Sequence, residues 1–277
     1  MSRINGLIGG TRLPDGTAAS VSGIHQLSQQ YEWRMRAIWP FSDPLLLTGC
    51  QLWLDAADAS TLYDAASGGS LVAADGGVAR WQDKSGNGRH ATQSTSGNRP
   101  LRKTSILGGK DVVSFDGTND IMQLPTSFRW YPTGTMFAVL ANASAGSGPW
   151  YAANNTDEPE IRLFRDTSSG RWYFNENYQL DNVAGHYNAI GSGSIRTIVL
   201  SGTSYKSYSN GTLKNSTTLG LAVSANNPAS HHSIGGYSLN NTFCTIQLAE
   251  LIFFDSALSD ANRILIESYL ITKWGIT

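Results

Sequence analysis

Aromatic side chains set in polar loops are the residues of this chain best suited to chemistry. Trp150 and Tyr151 stand between GSGP and AANNTDE, and Tyr178, His186, Tyr187 and Tyr237 keep similar company. Rings in such settings stack on pyranose faces, while neighbouring amides, hydroxyls and carboxylates read the ring hydroxyls. These six are the candidate glycan-binding residues, their plainer alternative being to plug the ends of the fold. Trp53, Trp81 and Trp172 alternate into strand patterns and are assigned to the core. Other chemistries have weaker support. Asp157, Glu158 and Glu160 surround Pro159 and read as a solvated turn. His231 and His232 are adjacent, and neighbours on a strand point to opposite faces, so they do not share one metal ion. GSGSI (from Gly191) and AASGGS (from Ala65) echo the nucleophile-elbow pattern, but neither stands between a strand and a helix. Cys50 and Cys244 are too few for a metal set or a disulfide framework, and both are expected as thiols.

The elements that must position these residues are mostly short strands. From Cys50 onward, alternating segments are separated by Gly, Asn, Ser and Pro: 51–55, 78–81, 111–115, 135–141, 160–164, 171–175, 195–201, 204–209, 212–215, 230–234 and 245–254. So many short strands at short spacing indicate an all-β, two-sheet antiparallel sandwich. YSNGTLK reads as a hairpin with a type I′ turn at Asn210 and Gly211, and a second hairpin joins IRLFRD to RWYFNE. A C-terminal helix is expected after Ser259 as N-cap, with Leu265, Ile266, Tyr269, Leu270 and Trp274 on one face and Gly275 as its stop.

The first 45 residues differ. INGLIGGTRLPDGTAASVSG, from Ile4, holds few large apolar groups and reads as an extended arm. It runs into a short helix whose stripe, Ile24, Leu27, Tyr31, Met35 and Ile38, is stopped by Pro40. That stripe is the candidate anchoring and oligomer interface, which divides the chain into an arm (1–45) and a sandwich with its C-terminal helix (46–277).

Charged residues make up 15% of the 277, against about 25% in ordinary domains, and the net charge is -1. Ser, Thr and Asn together number 72, so the surface is neutral and rich in hydroxyls and amides. Such a chain lacks the field that draws phosphate backbones or anionic lipids, and neither nucleic acid nor a membrane is an expected partner.

The order of segments LWLDAADASTLYD, VARWQDKSGNGRHATQ, GKDVVSFDGTND, SNGT, SIGGY and IQLAELIFFDSALSDANRILIESYLITKWGI resembles the laminin G-like branch of the concanavalin A-like lectin/glucanase superfamily. The resemblance covers residues 50 to 277 and implies a jelly-roll sandwich. It also implies a calcium ion at one sandwich edge, with Asp83 in DKSGNG, Asp116 and Asp120 in FDGTND, and Glu250 as candidate ligands. The plain alternative is that these are turn formers bonding their own backbone. No other cofactor is expected. Hydrolytic members of the superfamily carry Glu-x-Asp-x-x-Glu on one strand, and none of the six glutamates here has Asp two positions later. A non-catalytic chain is therefore expected.

The arm resembles the amino-terminal segment of virion structural proteins of tailed bacteriophages. Together the two resemblances imply a virion structural protein, a tail or capsid appendage. Residues 1–45 would anchor it to other virion proteins as a homo-oligomer, with a trimer favoured. The sandwich would then be displayed, with adhesion to host-surface polysaccharide as an added role. No secretion signal is visible, so assembly in the host cytoplasm is expected. The alternatives are a free lectin-like carbohydrate-binding module and a divergent glycoside hydrolase.

Overall fold

Asn210 and Gly211 hold φ of +47° and +77°, the pair of positive angles that a type I′ turn requires, and they join Ser204–Ser209 to Thr212–Thr218. The second predicted hairpin forms as well, with Leu163 opposite Phe174 and Arg165 opposite Trp172. A computed structural model of the chain describes residues 43–128, 133–143, 151–154, 161–165, 172–174, 178–179, 192–218, 231–237 and 241–277. The arm and the stripe Ile24, Leu27, Tyr31, Met35 and Ile38 lie outside these described residues.

Residues Asp43–Thr277 form one contact unit, an all-β sandwich of two antiparallel sheets closed by a C-terminal helix, as the strand count predicts. The eight-stranded sheet runs Thr212–Thr218, Ser204–Ser209, Ser194–Ser201, Thr133–Ala143, Thr245–Phe254, Lys110–Asp116 and Leu101–Leu107. Thr245–Phe254 is its spine. One edge of this strand pairs with Thr133–Ala143, while the other is shared, residues 245–248 meeting Lys110–Asp116 and residues 250–254 meeting Cys50–Asp55. The nine-stranded sheet runs Tyr178–Gln179, Trp172–Phe174, Ile161–Arg165, Tyr151–Asn154, His231–Ile234, Met122–Leu124, Ala91–Thr92, Arg80–Trp81 and Leu62–Tyr63.

Between the sheets lies one apolar core that includes Trp81, Phe115, Phe128, Met136, Tyr151 and Phe253. Gly235 of SIGGY, at φ +86°, sits directly on Phe115; a Cβ there would come within 2.0 Å of the ring. This close approach explains why the segment carries glycine.

Helix Asp260–Trp274 begins where the sequence places it. The Ser259 side chain accepts from the Asn262 N–H, Asp260 sits at the positive end of the dipole, and Gly275 ends the helix at φ +64°. It buries Leu265, Ile266, Tyr269, Leu270 and Trp274, and its side chains bond to Thr197 and Glu250 of the eight-stranded sheet. The spine strand is thus buried on both faces. Its sequence, TIQLAELIFF, is accordingly a nearly continuous apolar run rather than a clean alternation.

Several strands escape the sequence pattern. Leu62–Tyr63, Ala91–Thr92 and Met122–Leu124 are too short to show a period, and pairing with their neighbours creates them. Leu101–Leu107 is a sheet edge with Arg102 and Lys103, Ser105 at φ +57°, and a register shift between Lys103 and Leu107. Charge and irregularity of this kind discourage pairing with another chain, and they also hide the strand from an alternation search.

Candidate functional site

A register shift in the spine strand decides where its one internal acid points. Leu248 and Leu251 both enter the sandwich core, and the irregularity between Leu248 and Glu250 turns Glu250 to the helix side, opposite Asp55. There Glu250 is completely buried. Its Oε1 accepts from Trp53 Nε1 at 2.7 Å and the Tyr269 hydroxyl at 3.0 Å, and its Oε2 accepts from Lys273 Nζ at 2.7 Å and Trp274 Nε1 at 2.6 Å. Lys273 also meets Asp55 at 2.7 Å, and Lys84 bridges Asp55 and Asp58 at 3.0 Å each. Burial pushes the Glu250 carboxyl up, the Asp55 charge adds to this, and Lys273 opposes it. Burial and the Glu250 charge raise the Tyr269 phenol, which therefore serves as a donor. With four donors on two oxygens and no exposed surface, Glu250 joins the helix to two strands. Its assignment as a calcium ligand is corrected accordingly.

Asp83 is consumed in a comparable way. Oδ1 accepts from the N–H groups of Trp53 (3.0 Å) and Ser85 (2.8 Å), and Oδ2 from Ser85 Oγ (2.8 Å) and the Arg89 N–H (2.9 Å). It ties the DKSGNGR loop to the first strand, aided by Asn87 and Arg89 donating to backbone carbonyls of that strand. Asp116 Oδ1 accepts from the Thr118 N–H at 2.7 Å, the turn-forming role that was its alternative. Asp120 accepts from the Asp116 N–H at 2.9 Å. Among the described residues no three His, Cys, Asp or Glu side chains converge as a metal set, so Asp83, Asp116, Asp120 and Glu250 do not form one site. Burial raises the Cys50 thiol, with the Asp83 charge adding, to about 12, which removes it as a nucleophile near neutrality.

The predicted glycan aromatics divide. Tyr151 opens strand Tyr151–Asn154 instead of lying in a loop; its ring is buried against Phe253, and its hydroxyl lies 3.1 Å from His232 Nδ1. Tyr237 is buried in the short pairing of Gly236–Tyr237 with Thr242–Phe243. Neither offers a ring face to solvent, because each packs into the protein, and both assignments are corrected. Tyr178 belongs to strand Tyr178–Gln179, its side chain outside the description, while Trp150, His186 and Tyr187 lie outside the described residues. So does the Asp157, Glu158 and Glu160 cluster. Trp53 and Trp81 are buried as expected, and His232 is a buried histidine, edge-on to Phe128 at 5.1 Å.

A different surface is assembled by the short strands. Leu62, Trp81, Ala91 and Met122 point into the core from four neighbouring strands. The residues beside them therefore face outward, and Tyr63, Arg80, Thr92 and Gln123 stand directly opposite one another in register. All four are half-buried. The Arg80 guanidinium carbon lies 4.1 Å from the centre of the Tyr63 ring. At about 4.8 Å per strand, three steps give a row of roughly 14 Å. It ends at Ser233, which pairs with Gln123 and is buried, donating to the Gly236 carbonyl at 2.7 Å. Beside the row, Arg99 donates to the carbonyls of Asp64, Gln93 and Ser94, and Gln93 Nε2 to that of Ile121. The row was missed because each contributing strand is two or three residues long. Its only trace in the sequence is a buried apolar residue beside a polar or aromatic one, repeated in LY, RW, AT and MQ.

No protein-family model matches the chain, and no curated protein matches it in sequence. Solved structures do share its fold. A Trypanosoma rangeli sialidase in complex with sialic acid superposes with a TM-score of 0.57 at 12% identity, over 90% of this chain and 38% of that one. An arabinofuranosidase complexed with arabinofuranosyl-alpha-1,2-xylobiose gives 0.55 at 15% identity, over 86% and 61%. The binding domain of Paraclostridial Mosquitocidal Protein 1 gives 0.52 at 14%, over 82% and 55%. The chain thus spans less than two thirds of each. These likenesses show the fold alone, a two-sheet antiparallel β-sandwich. They also overturn the expectation of a non-catalytic chain: solved enzymes share this sandwich, so a missing Glu-x-Asp-x-x-Glu excludes only one arrangement of carboxylates on it.

Two measurements check the roles of the acids. Glu250→Ala leaves two indole N–H groups and the Tyr269 hydroxyl without this acceptor and Lys273 with Asp55 as its remaining carboxylate, and urea unfolding is expected to show a loss of about 3–5 kcal/mol. Burial, reinforced by the Asp116 charge, raises the Asp120 carboxyl from 3.8 to about 6. The native state then binds more protons than the unfolded chain between those values, so Asp120 lowers stability as pH rises through that window. Asp120→Asn keeps an oxygen for the Asp116 N–H. It is expected to be more stable than the parent by about 2 kcal/mol at pH 7, with the difference gone below pH 4.

Proposed function

We propose that this chain is a carbohydrate-binding β-sandwich module and that the outward row Tyr63, Arg80, Thr92 and Gln123 is its sugar-contacting surface. The row itself carries the reading. It places an aromatic ring, a planar guanidinium, a hydroxyl and a carboxamide in line on a rigid sheet, the combination that recognises ring hydroxyls and faces. A neutral surface rich in hydroxyls and amides supports it, and so does a fold shared with carbohydrate-active enzymes and the binding domain of a mosquitocidal protein. A glycan array is expected to return hits that Tyr63→Ala and Gln123→Ala each weaken by about tenfold or more, about 1.4 kcal/mol, with unchanged thermal unfolding. Binding by both variants at parental strength would contradict the assignment. Oligosaccharides released from a bound glycan would make the site hydrolytic, and Asp120, three residues before Gln123 and titrating in the range of a general acid, is then the first residue to substitute.

A second reading concerns where the module works, and the sequence of residues 1–45 favours it. The Gly-, Thr- and Ser-rich arm and the stripe Ile24, Leu27, Tyr31, Met35 and Ile38 support an anchor that seats the module on other virion proteins of a tailed bacteriophage as a homo-oligomer, a trimer favoured. Particles assembled with a chain lacking residues 1–45 are expected to carry none of it. Incorporation at full occupancy would remove the anchor.

A further inference from the structure

The Arg80 guanidinium is held in place without its N–H groups being spent inside the protein. Arg102 meets Asp111 at 2.7 Å, Arg263 pairs with Glu267, and Lys84, Lys103 and Lys273 are each paired with a carboxylate. Arg99 and Arg89, with no carboxylate among the described residues, donate to backbone carbonyls, Arg99 to three and Arg89 to that of Gln51. Arg80 has no carboxylate and no hydrogen bond to its guanidinium among the described residues, and its Nε is shut off from solvent without a partner. What holds it is the Tyr63 ring, 4.1 Å from the guanidinium carbon. Cation–π stacking of this kind fixes the plane of the fork while leaving its N–H edges unsatisfied.

The two neighbours across the strands set the context of that fork. Thr92, in register on one side, and Gln123 beyond it offer a hydroxyl and an amide but no negative charge. Tyr63, on the other side, offers none either. A single unpaired guanidinium in a row of neutral hydrogen-bonding groups suits a ligand that is mostly neutral and polyhydroxylated with one planar anionic group at intervals. It does not suit a polyphosphate backbone, which needs a cluster of cations, and the net charge of -1 supplies no wider field.

We propose that Arg80 makes this surface selective for acidic sugars, taking the carboxylate of a uronic- or sialic-acid-type residue in a bidentate pair while Thr92 and Gln123 bind hydroxyls of the neighbouring rings. Besides its place in the sugar-contacting row, Tyr63 holds the guanidinium plane. The inference rests on the carbohydrate-binding reading and adds the class of sugar. Two parallel N–H···O bonds need a planar fork, so lysine is a poor substitute at this position.

The test uses the full chain and a panel of oligosaccharides containing hexuronic or sialic acids, each presented beside its carboxyl-reduced counterpart, which keeps the ring and loses the charge. Titration calorimetry is expected to show the acidic member bound at least about tenfold more tightly than the reduced one, with the gap narrowing as salt is raised. Arg80→Ala is expected to bind both members alike, and Arg80→Lys to recover only part of the preference. Circular dichroism melts confirm that the variants are folded. Equal binding of acidic and reduced members by the parent chain overturns the acidic-sugar inference and leaves the carbohydrate reading standing. A preference that survives Arg80→Ala overturns the role of Arg80. Binding to neither member anywhere on the panel, or on a neutral glycan array, overturns both readings.

Discussion

A carboxylate buried without any contact with water must be surrounded by donors, and that requirement at Glu250 organises the sandwich. The spine strand Thr245–Phe254 is covered by the core on one face and by the C-terminal helix on the other. Stranding a charge there would cost several kcal/mol. Four donors arrive from two directions, Trp53 from the first strand and Tyr269, Lys273 and Trp274 from the helix. The helix therefore docks at one axial position and one rotation, and Gly275 ends it directly after Trp274 has delivered its N–H. Lys273 and Lys84 extend the same network to Asp55 and Asp58.

This use of the acids shapes where binding chemistry is left. Asp83 and Glu250 are saturated by internal donors, and Asp116 shapes its own turn. In a chain with so few charges, the eight-stranded sheet and its helix are devoted to holding the fold. The nine-stranded sheet is different. Its inner row joins the core, and its outer row at Tyr63, Arg80, Thr92 and Gln123 remains half-buried and neutral except for one guanidinium. Sheet residues are held more rigidly than loop residues, so such a row keeps its spacing when a ligand arrives.

How far the sequence discloses this structure follows from length and locality. The long strands, the Asn210–Gly211 turn and the Ser259-to-Gly275 helix each carry their own signal within a dozen residues, and each was readable. The site was not, for two physical reasons. Glu250 lies within the strand read over 245–254, and the face it takes is decided by the irregularity after Leu248, which no local pattern announces. The outward row is built from strands of two or three residues, shorter than one period of any pattern, that exist because neighbours pair with them. Polar sequence on both sides of Tyr151 suggests a loop, whereas pairing with Ile234 and Leu163 draws it into the core. The segments that carried the superfamily resemblance, LWLDA, QDKSGNG, AELIFF and TKWG, meet around Asp83 and Glu250. They mark the fold's fastening rather than its ligand.

That separation between fastening and binding is also why a shared fold is a modest guide to substrate. A sialidase, an arabinofuranosidase and the binding domain of a mosquitocidal protein share this sandwich at 12–15% identity. The identity of the sugar face has to come from the side chains of this chain. Crystals grown with the tightest-binding oligosaccharide test that assignment most directly: the account predicts sugar density lying across Tyr63, Arg80, Thr92 and Gln123, and density seated elsewhere, with this row untouched, would contradict it.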